Sequence, residues 1–300
     1  MEGTAGESAT FVPVTNKHAL AEVTLALAAG RGNQVHPSGT ATIIGYRLAI
    51  TAKHVIDDYW NAFEWKKIVE PPLGTPSDKT TSYTVIAVNN VPKIDEIALW
   101  YVTKVWCSNF TDIALLYFQP GSPAALQHDW KFPVLNVLPP KEGSLVTGFG
   151  YQSSQIEIEE MDGGIGIDWN NVPTVTTGRV VEVHKQRRDT GMLNFPCFRV
   201  NARFDGGMSG GPVFNEAGEL CGVICSGYPP IEDQEHVSYA ASLCPLMGTM
   251  LSYDPAGKRT DTSYLTAELA TQGRITTRNL EKLRFIENED GHIFRIDVLK

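Results

Sequence analysis

Three segments of this chain carry residue types that could do chemistry together. The first is Phe204-Asp205-Gly206-Gly207-Met208-Ser209-Gly210-Gly211-Pro212-Val213, with four glycines within six positions around one serine. Glycine gives up more backbone entropy on folding than any other residue, so this density is costly for a plain turn. It makes sense where the backbone bends sharply and approaches another group closely. A hydroxyl on such a bend, with amides of the same turn facing the same open space, suits acyl transfer: the oxygen attacks a carbonyl carbon while the amides receive the developing negative charge. A serine alone is a weak nucleophile and needs a base held by a third group. Leu48-Ala49-Ile50-Thr51-Ala52-Lys53-His54-Val55-Ile56 sets a histidine after an apolar β-like run, and Phe110-Thr111-Asp112-Ile113-Ala114-Leu115-Leu116 sets an aspartate before another. Each has a plain reading by itself: SGGP is a turn in many proteins, a histidine after a strand is commonly a satisfied side chain, and an aspartate before one is commonly a cap. The order His54, Asp112, Ser209, at intervals of 58 and 97 residues, favours the chemical reading.

These three segments resemble the histidine, aspartate and serine boxes of chymotrypsin-like (trypsin-fold) serine peptidases: Thr51-Ala52-Lys53-His54-Val55, Asp112-Ile113-Ala114-Leu115-Leu116 and Gly207-Met208-Ser209-Gly210-Gly211-Pro212. The resemblance spans roughly residues 20–250 and is nearest to the HtrA type, without a PDZ domain. Asp95-Glu96-Ile97-Ala98-Leu99 looks like a second aspartate box; Asp112 is preferred because its segment is the closer match and lies nearer the expected interlobe linker, with Asp95 as the alternative.

The resemblance implies a fold, a reaction and a set of site residues. The fold is all-β, two six-stranded Greek-key barrels with the active site in the cleft between them. The reaction is peptide-bond hydrolysis through an acyl-enzyme, with His54 as general base, Asp112 as its orienter and Ser209 as nucleophile. Gly207 and Ser209 are the expected oxyanion donors through their backbone N–H groups. Cys225-Ser226-Gly227 matches the strand that pairs with an extended substrate backbone, and Arg203 falls at the pocket-base position, where a cation would favour an acidic side chain. Met208 stands where trypsin-like zymogens carry an aspartate that pairs with a newly freed amino terminus, so activation by N-terminal release is not expected. The alternatives are a catalytically silent peptide-binding module and a serine esterase or acyltransferase; the α/β-hydrolase elbow is disfavoured because there the serine precedes the histidine.

Composition narrows the partners. The 300 residues are 42% hydrophobic with a formal net charge of −9, which argues against nucleic acid as an obligatory partner. No apolar run approaches the ~20 residues that span a bilayer. The polar, acidic start lacks the basic and apolar regions of a signal peptide. Five cysteines, an odd number, favour reduced thiols and a cytoplasmic setting. Cys221 and Cys225 do not have zinc spacing, and neither a metal nor a cofactor is expected. The expected partners are a protein or peptide substrate and a regulatory protein bound through the C-terminal extension.

The elements that must position the site follow from period-2 patterning and turn residues. Residues 1–20 read as a flexible lead-in, 21–118 as the first barrel, 132–252 as the second, and 253–300 as a small α/β extension docked on the second. Within them, Val55 to Phe63 reads as a helical turn, 64–80 as a surface loop, 119–132 as the crossover, Met161 to Asn171 as a mobile loop at the cleft rim, and Pro245 to Ser252 as a closing helix. The extension reads as a helix over Thr262 to Thr271 and a hairpin about Glu289-Asp290-Gly291.

Overall fold

The computed structural model describes residues 9–31, 34–62, 84–108, 110–161, 164–228, 236–252, 263–287 and 293–299. The expected loop at 64–80 and the turn at Glu289-Asp290-Gly291 lie outside them.

The chain opens with strand β1 (Thr10–Pro13) and then builds the first lobe from β2 (Thr24–Arg31), β3 (Gln34–Gly45), β4 (Leu48–Ala52), helix α1 (Lys53–Ala62), β5 (Thr84–Val91), β6 (Glu96–Cys107) and β7 (Ile113–Pro120). Its six strands close into a barrel in the order β2-β3-β4-β7-β6-β5. Successive side chains of a strand point to opposite faces, and β2 shows why its sequence is apolar throughout. Leu25 and Leu27 belong to the barrel core, whereas Ala26 and Ala28 pack in a second layer with Phe149, Tyr151, Ile156 and Trp169 of the other lobe. Both faces are covered, and the alanines let the second layer approach.

The second lobe comprises β8 (Leu135–Asn136), β9 (Leu145–Met161), β10 (Gly164–His184), β11 (Cys197–Val200), β12 (Pro212–Asn215), β13 (Leu220–Tyr228) and β14 (Val237–Ser242). The run β12-β9-β10-β11-β14-β13 closes on itself through β12–β13, so this lobe is also a six-stranded antiparallel barrel. Its core gathers Val146, Val180, Phe198, Val200, Phe204, Met208, Val213 and Ile224.

Three expectations about local structure are corrected. Residues 1–20 are not wholly a lead-in: β1 pairs with Thr174–Thr177 of β10, and Thr10 and Thr177 also join through their hydroxyls at 2.6 Å. Residues 164–170 are not a rim loop; they begin β10 and pair with residues 155–161 of β9, and Ile156 and Trp169 are apolar side chains that bury against the first barrel. The closing helix is a 3-10 turn, Cys244–Gly248, followed by β15 (Met250–Leu251); Gly248 is a poor residue for continuing a helix, and Thr249 is already extended.

The extension adds β16 (Tyr264–Leu265), α2 (Thr266–Thr271), β17 (Thr277–Arg278), β18 (Leu283–Glu287) and β19 (Ile293–Val298). β17 runs parallel to β8 and extends the second-lobe sheet, and Ile275 bridges to Gly45 of the first lobe, so the extension touches both lobes. Its anchor is Glu219, nearly buried at 6% exposure, which accepts hydrogen bonds from Asn136 (2.8 Å) and Asn215 (3.0 Å) and pairs with Arg278 (2.7 Å). Asn279, at φ +64°, donates to Asn136 in turn. The Asn215 amide, the Asn136 amide and the Arg278 guanidinium hold the Glu219 carboxyl below the usual carboxylate range, against the opposing effect of burial. A depressed folded-state pKa gives stability that is present above the unfolded-state pKa and is lost as pH falls through the folded-state value. Removing the exposed cation leaves two amide donors in place, so Arg278→Ala should cost only about 1 kcal/mol and speed hydrogen exchange in β17. Glu219→Gln should flatten the fall of stability below about pH 5, read by denaturant unfolding from neutral to acidic pH.

Candidate active site

Adjacent first-lobe strands deliver the imidazole and the carboxylate. β4 is buried along its whole length and ends at Ala52, which faces Ile113, the first residue of β7. His54, the second residue of α1, therefore lies directly beside Asp112, which precedes β7. Three hydrogen bonds lock the pairing: Lys53 N donates to Asp112 O (2.8 Å), His54 N donates to Asp112 Oδ1 (3.0 Å), and His54 Nδ1 meets Asp112 Oδ2 at 2.7 Å. An ionised carboxylate only accepts, so this contact places the ring proton on Nδ1 and makes Nε2 the basic nitrogen. The Asp112 side chain is 14% exposed and that of His54 37%, which leaves the ring partly open. Asp95, the alternative, sits at positive φ in the β5–β6 turn and pairs with Lys17 at 3.0 Å.

The serine loop comes from the second lobe and presses against the same strand end. Gly210 N donates to Ile224 O, and Ile224 N to Gly211 O, tying the loop to β13. Gly210 adopts φ +86°, and a Cβ there would lie 2.0 Å from Thr40 O and 2.1 Å from Thr51 Oγ1. A Cβ on Gly39 would meet both Ser209 O (2.7 Å) and the Val55 side chain (2.9 Å). Ser209 thus lies beside the first turn of α1, the turn that carries His54. Gly207, at φ +89°, has room for no Cβ because Tyr151 O is 2.5 Å away. Among the described residues neither the Gly207 nor the Ser209 N–H donates a backbone hydrogen bond, whereas those of Met208, Gly210 and Gly211 do.

Residues 39–223 match the trypsin-like peptidase domain, more than half of the chain. The chain belongs to that family. No curated protein matches it significantly. Among solved structures, similar chains include Deg5 (TM-score 0.49, 14% identity, 74% of this chain and 84% of that one), the MamO protease domain from Magnetospirillum magneticum (0.44, 16%, 75% and 94%) and Rv3671c from M. tuberculosis H37Rv in an inactive form (0.43, 16%, 76% and 84%).

Among the remaining expected site residues of this trypsin-like chain, Gly227 would place a Cβ 2.1 Å from Phe204 O, so the 225–227 strand runs directly along the stem of the serine loop. Cys225 is buried there, its Sγ donating to Tyr239 O at 3.2 Å, and burial pushes its thiol well up. Arg203 is a correction. Its guanidinium grips Asp205 through both Nε (2.8 Å) and a terminal nitrogen (2.6 Å) and lies 4.2 Å over the Phe11 ring, so it is not a free cation awaiting an acidic side chain. Met208 is fully buried in the second-lobe core, and its Sδ accepts from Asp205 N at 3.4 Å. An apolar anchor holds the serine loop here.

Thr40 and Thr51 escaped the sequence reading although both touch the serine loop's neighbourhood; the available signal was a pair of hydroxyls at fully buried positions of otherwise small and apolar strands. All five cysteines are free thiols. Among the described residues no group of three or more His, Cys, Asp or Glu side chains gathers as a metal site, and no helix is long and apolar enough to cross a membrane.

The loop's packing gives a direct test. Gly210→Ala brings both a strained backbone and a clash with main-chain oxygen, so it should destabilise the fold by about 3 kcal/mol or more and shift the serine loop away from Thr51, measurable as a lowered Tm.

Proposed function

We propose that this trypsin-fold protein is a serine endopeptidase that acts through His54, Asp112 and Ser209. The observation that carries the proposal is the double clamp of His54 on Asp112 at the very strand end that the Ser209 loop contacts. In this reading His54 Nε2 takes the proton of Ser209 Oγ as that oxygen bonds to the scissile carbonyl carbon. Asp112 holds the tautomer and stabilises the imidazolium. The carbonyl oxygen, now negative, lies against the N–H groups of Gly207 and Ser209, which pre-organised backbone makes available without reorganisation. Collapse breaks the C–N bond, and His54 returns the proton to the departing amine. Water then repeats the sequence on the acyl-enzyme. An extended substrate would add as a strand along 225–227.

Specificity for an acidic side chain is not part of the proposal, because Asp205 already neutralises Arg203. Five unbonded thiols fit a reducing, cytoplasmic compartment.

A fluorophosphonate probe should label the wild type and leave Ser209→Ala unlabelled; a peptide-library profile on the same pair should show cleavage by the wild type alone. Asp112→Asn should cut kcat by about 10⁴-fold, the loss this change brings in other triads of the fold. Absence of labelling in the folded wild type would favour a silent peptide-binding module, and labelling with cleavage of esters but no peptide would favour an esterase.

Activation follows a different route from zymogen release. β1 carries Phe11 beneath Arg203, Arg203 grips Asp205, and Asp205 bonds Met208 through both its N–H and its carbonyl oxygen. The intact chain with Met1 in place should therefore be active, and removing residues 1–13 should lower kcat. A truncation that raises activity would overturn this route.

A further inference from the structure

We infer that Thr40 is a positioning residue for the oxyanion site, and that its hydroxyl, rather than its bulk, sets the catalytic rate. The inference rests on the proposed hydrolase reading of Ser209. Thr40 is fully buried on β3 and makes four hydrogen bonds that meet at the junction of the two lobes. Its N–H donates to Ser209 O at 2.8 Å. Its Oγ1 donates to Gly207 O at 2.9 Å and accepts from Tyr151 N at 3.0 Å. Its carbonyl oxygen accepts from Thr51 Oγ1 at 2.7 Å.

The hydroxyl has no choice of orientation. A threonine hydroxyl offers one proton and two lone pairs. The Tyr151 amide can only donate, so it takes a lone pair, and the Gly207 carbonyl can only accept, so it takes the proton. The Gly207–Met208 peptide is thereby pinned on one side by Thr40 and on the other by Met208 N donating to Asp205 O. The Met208–Ser209 peptide is pinned by Gly211 N donating to Met208 O, which fixes the direction of the Ser209 N–H. What remains is rotation about the Cα–C and N–Cα bonds of Gly207, which sets the direction of the Gly207 N–H. At φ +89° glycine is free to rotate there, since it lacks the Cβ that would otherwise restrict it. Holding the carbonyl side of Gly207 gives that rotation a fixed frame. Without the hydroxyl, the Gly207 carbonyl and the Tyr151 N–H both lose a buried partner, and the peptide is released to seek others. Thr42, two residues along the same strand and equally buried, is a natural contrast: its Oγ1 has no hydrogen-bond partner among the described residues.

The test compares full-length wild type, Thr40→Val, Thr40→Ser, Thr42→Val and Ser209→Ala with a fluorophosphonate, reading kinact and KI separately alongside Tm. In the labelling step the Oγ–P bond forms, the P–F bond breaks with loss of fluoride, and the Ser209 proton passes to His54. The phosphoryl oxygen occupies the oxyanion site, so the rate reports its geometry. Thr40→Val should lower kinact about 10²-fold, the scale of losing one oxyanion donor, with KI within about threefold. Thr40→Ser, which restores the hydroxyl, should return kinact to within about threefold of wild type. Thr42→Val should leave kinact unchanged and Tm equal or higher, since it removes an unpaired buried polar group.

The inference is overturned if Thr40→Val keeps its kinact, if Thr40→Ser loses as much as Thr40→Val, or if Thr42→Val loses rate equally. Should Thr40→Val not accumulate as folded protein, Thr40→Cys serves, with a weaker donor of similar size: a fall of about tenfold supports the inference and an unchanged kinact overturns it. A folded wild type that the probe does not label, like Ser209→Ala, ends the hydrolase reading and the positioning role together. An active wild type with an indifferent Thr40 ends only the latter.

Discussion

The structure depends on how closely the serine loop can lie against the middle of β3 and the end of β4. Gly210 makes that approach possible: its α-carbon faces the Thr40 carbonyl and the Thr51 hydroxyl at distances that exclude any side chain. Ser209 therefore belongs to the second barrel by connectivity and to the first by contact. His54 and Asp112 hold one another through strands β4 and β7 regardless of the second lobe. The place of Ser209 is instead a property of the interface, and a shift of either barrel would carry it away from the first turn of α1.

Interface packing supplies the rigidity that this arrangement needs. β9 and β10 outgrow the second barrel and lay Tyr151, Ile156 and Trp169 over Ala26, Ala28, Ile86, Val88 and Leu99 of the first. Burying apolar area of this kind is worth about 25 cal/mol per Å², and it is gained only when both lobes are in place. Tyr151 joins the two roles in one residue. Its ring fills the interlobe layer, its hydroxyl meets Thr24 Oγ1 at 3.2 Å, its N–H reaches Thr40 and its carbonyl oxygen sits beneath Gly207. The serine loop is thus braced by the same strand that welds the barrels. The C-terminal extension adds a further brace from outside, with β17 beside β8 and Ile275 at Gly45.

Much of this was legible in the chain. The two barrels implied by the family resemblance agree with short apolar strands separated by glycine and proline, and Asp112 rather than Asp95 lies beside His54, because a buried strand pair fixes its own register through alternating side chains. The failures share one cause. Thr10–Pro13 looked like a lead-in since its own residues are mostly exposed, and its partner lies more than 160 positions away in β10. The stretch 164–171 looked like a loop because its glycines outweighed Trp169, whose burial depends on the other lobe. Arg203 looked available to a substrate because the fold, not the sequence, turns it onto Asp205 and lays it over Phe11.

The order and types of His54, Asp112 and Ser209, and the glycines that let the Ser209 loop bend, are fixed by sequence, since each rests on local backbone preferences and strand periodicity. Which polar groups meet was decided by tertiary structure. Thr40 is unremarkable as a letter in a run of small residues, yet its hydroxyl finds Gly207 and Tyr151 from 167 and 111 positions away. A buried hydroxyl must pair, but its partner is chosen by the path of the chain through space, and that path exists only once both barrels have closed.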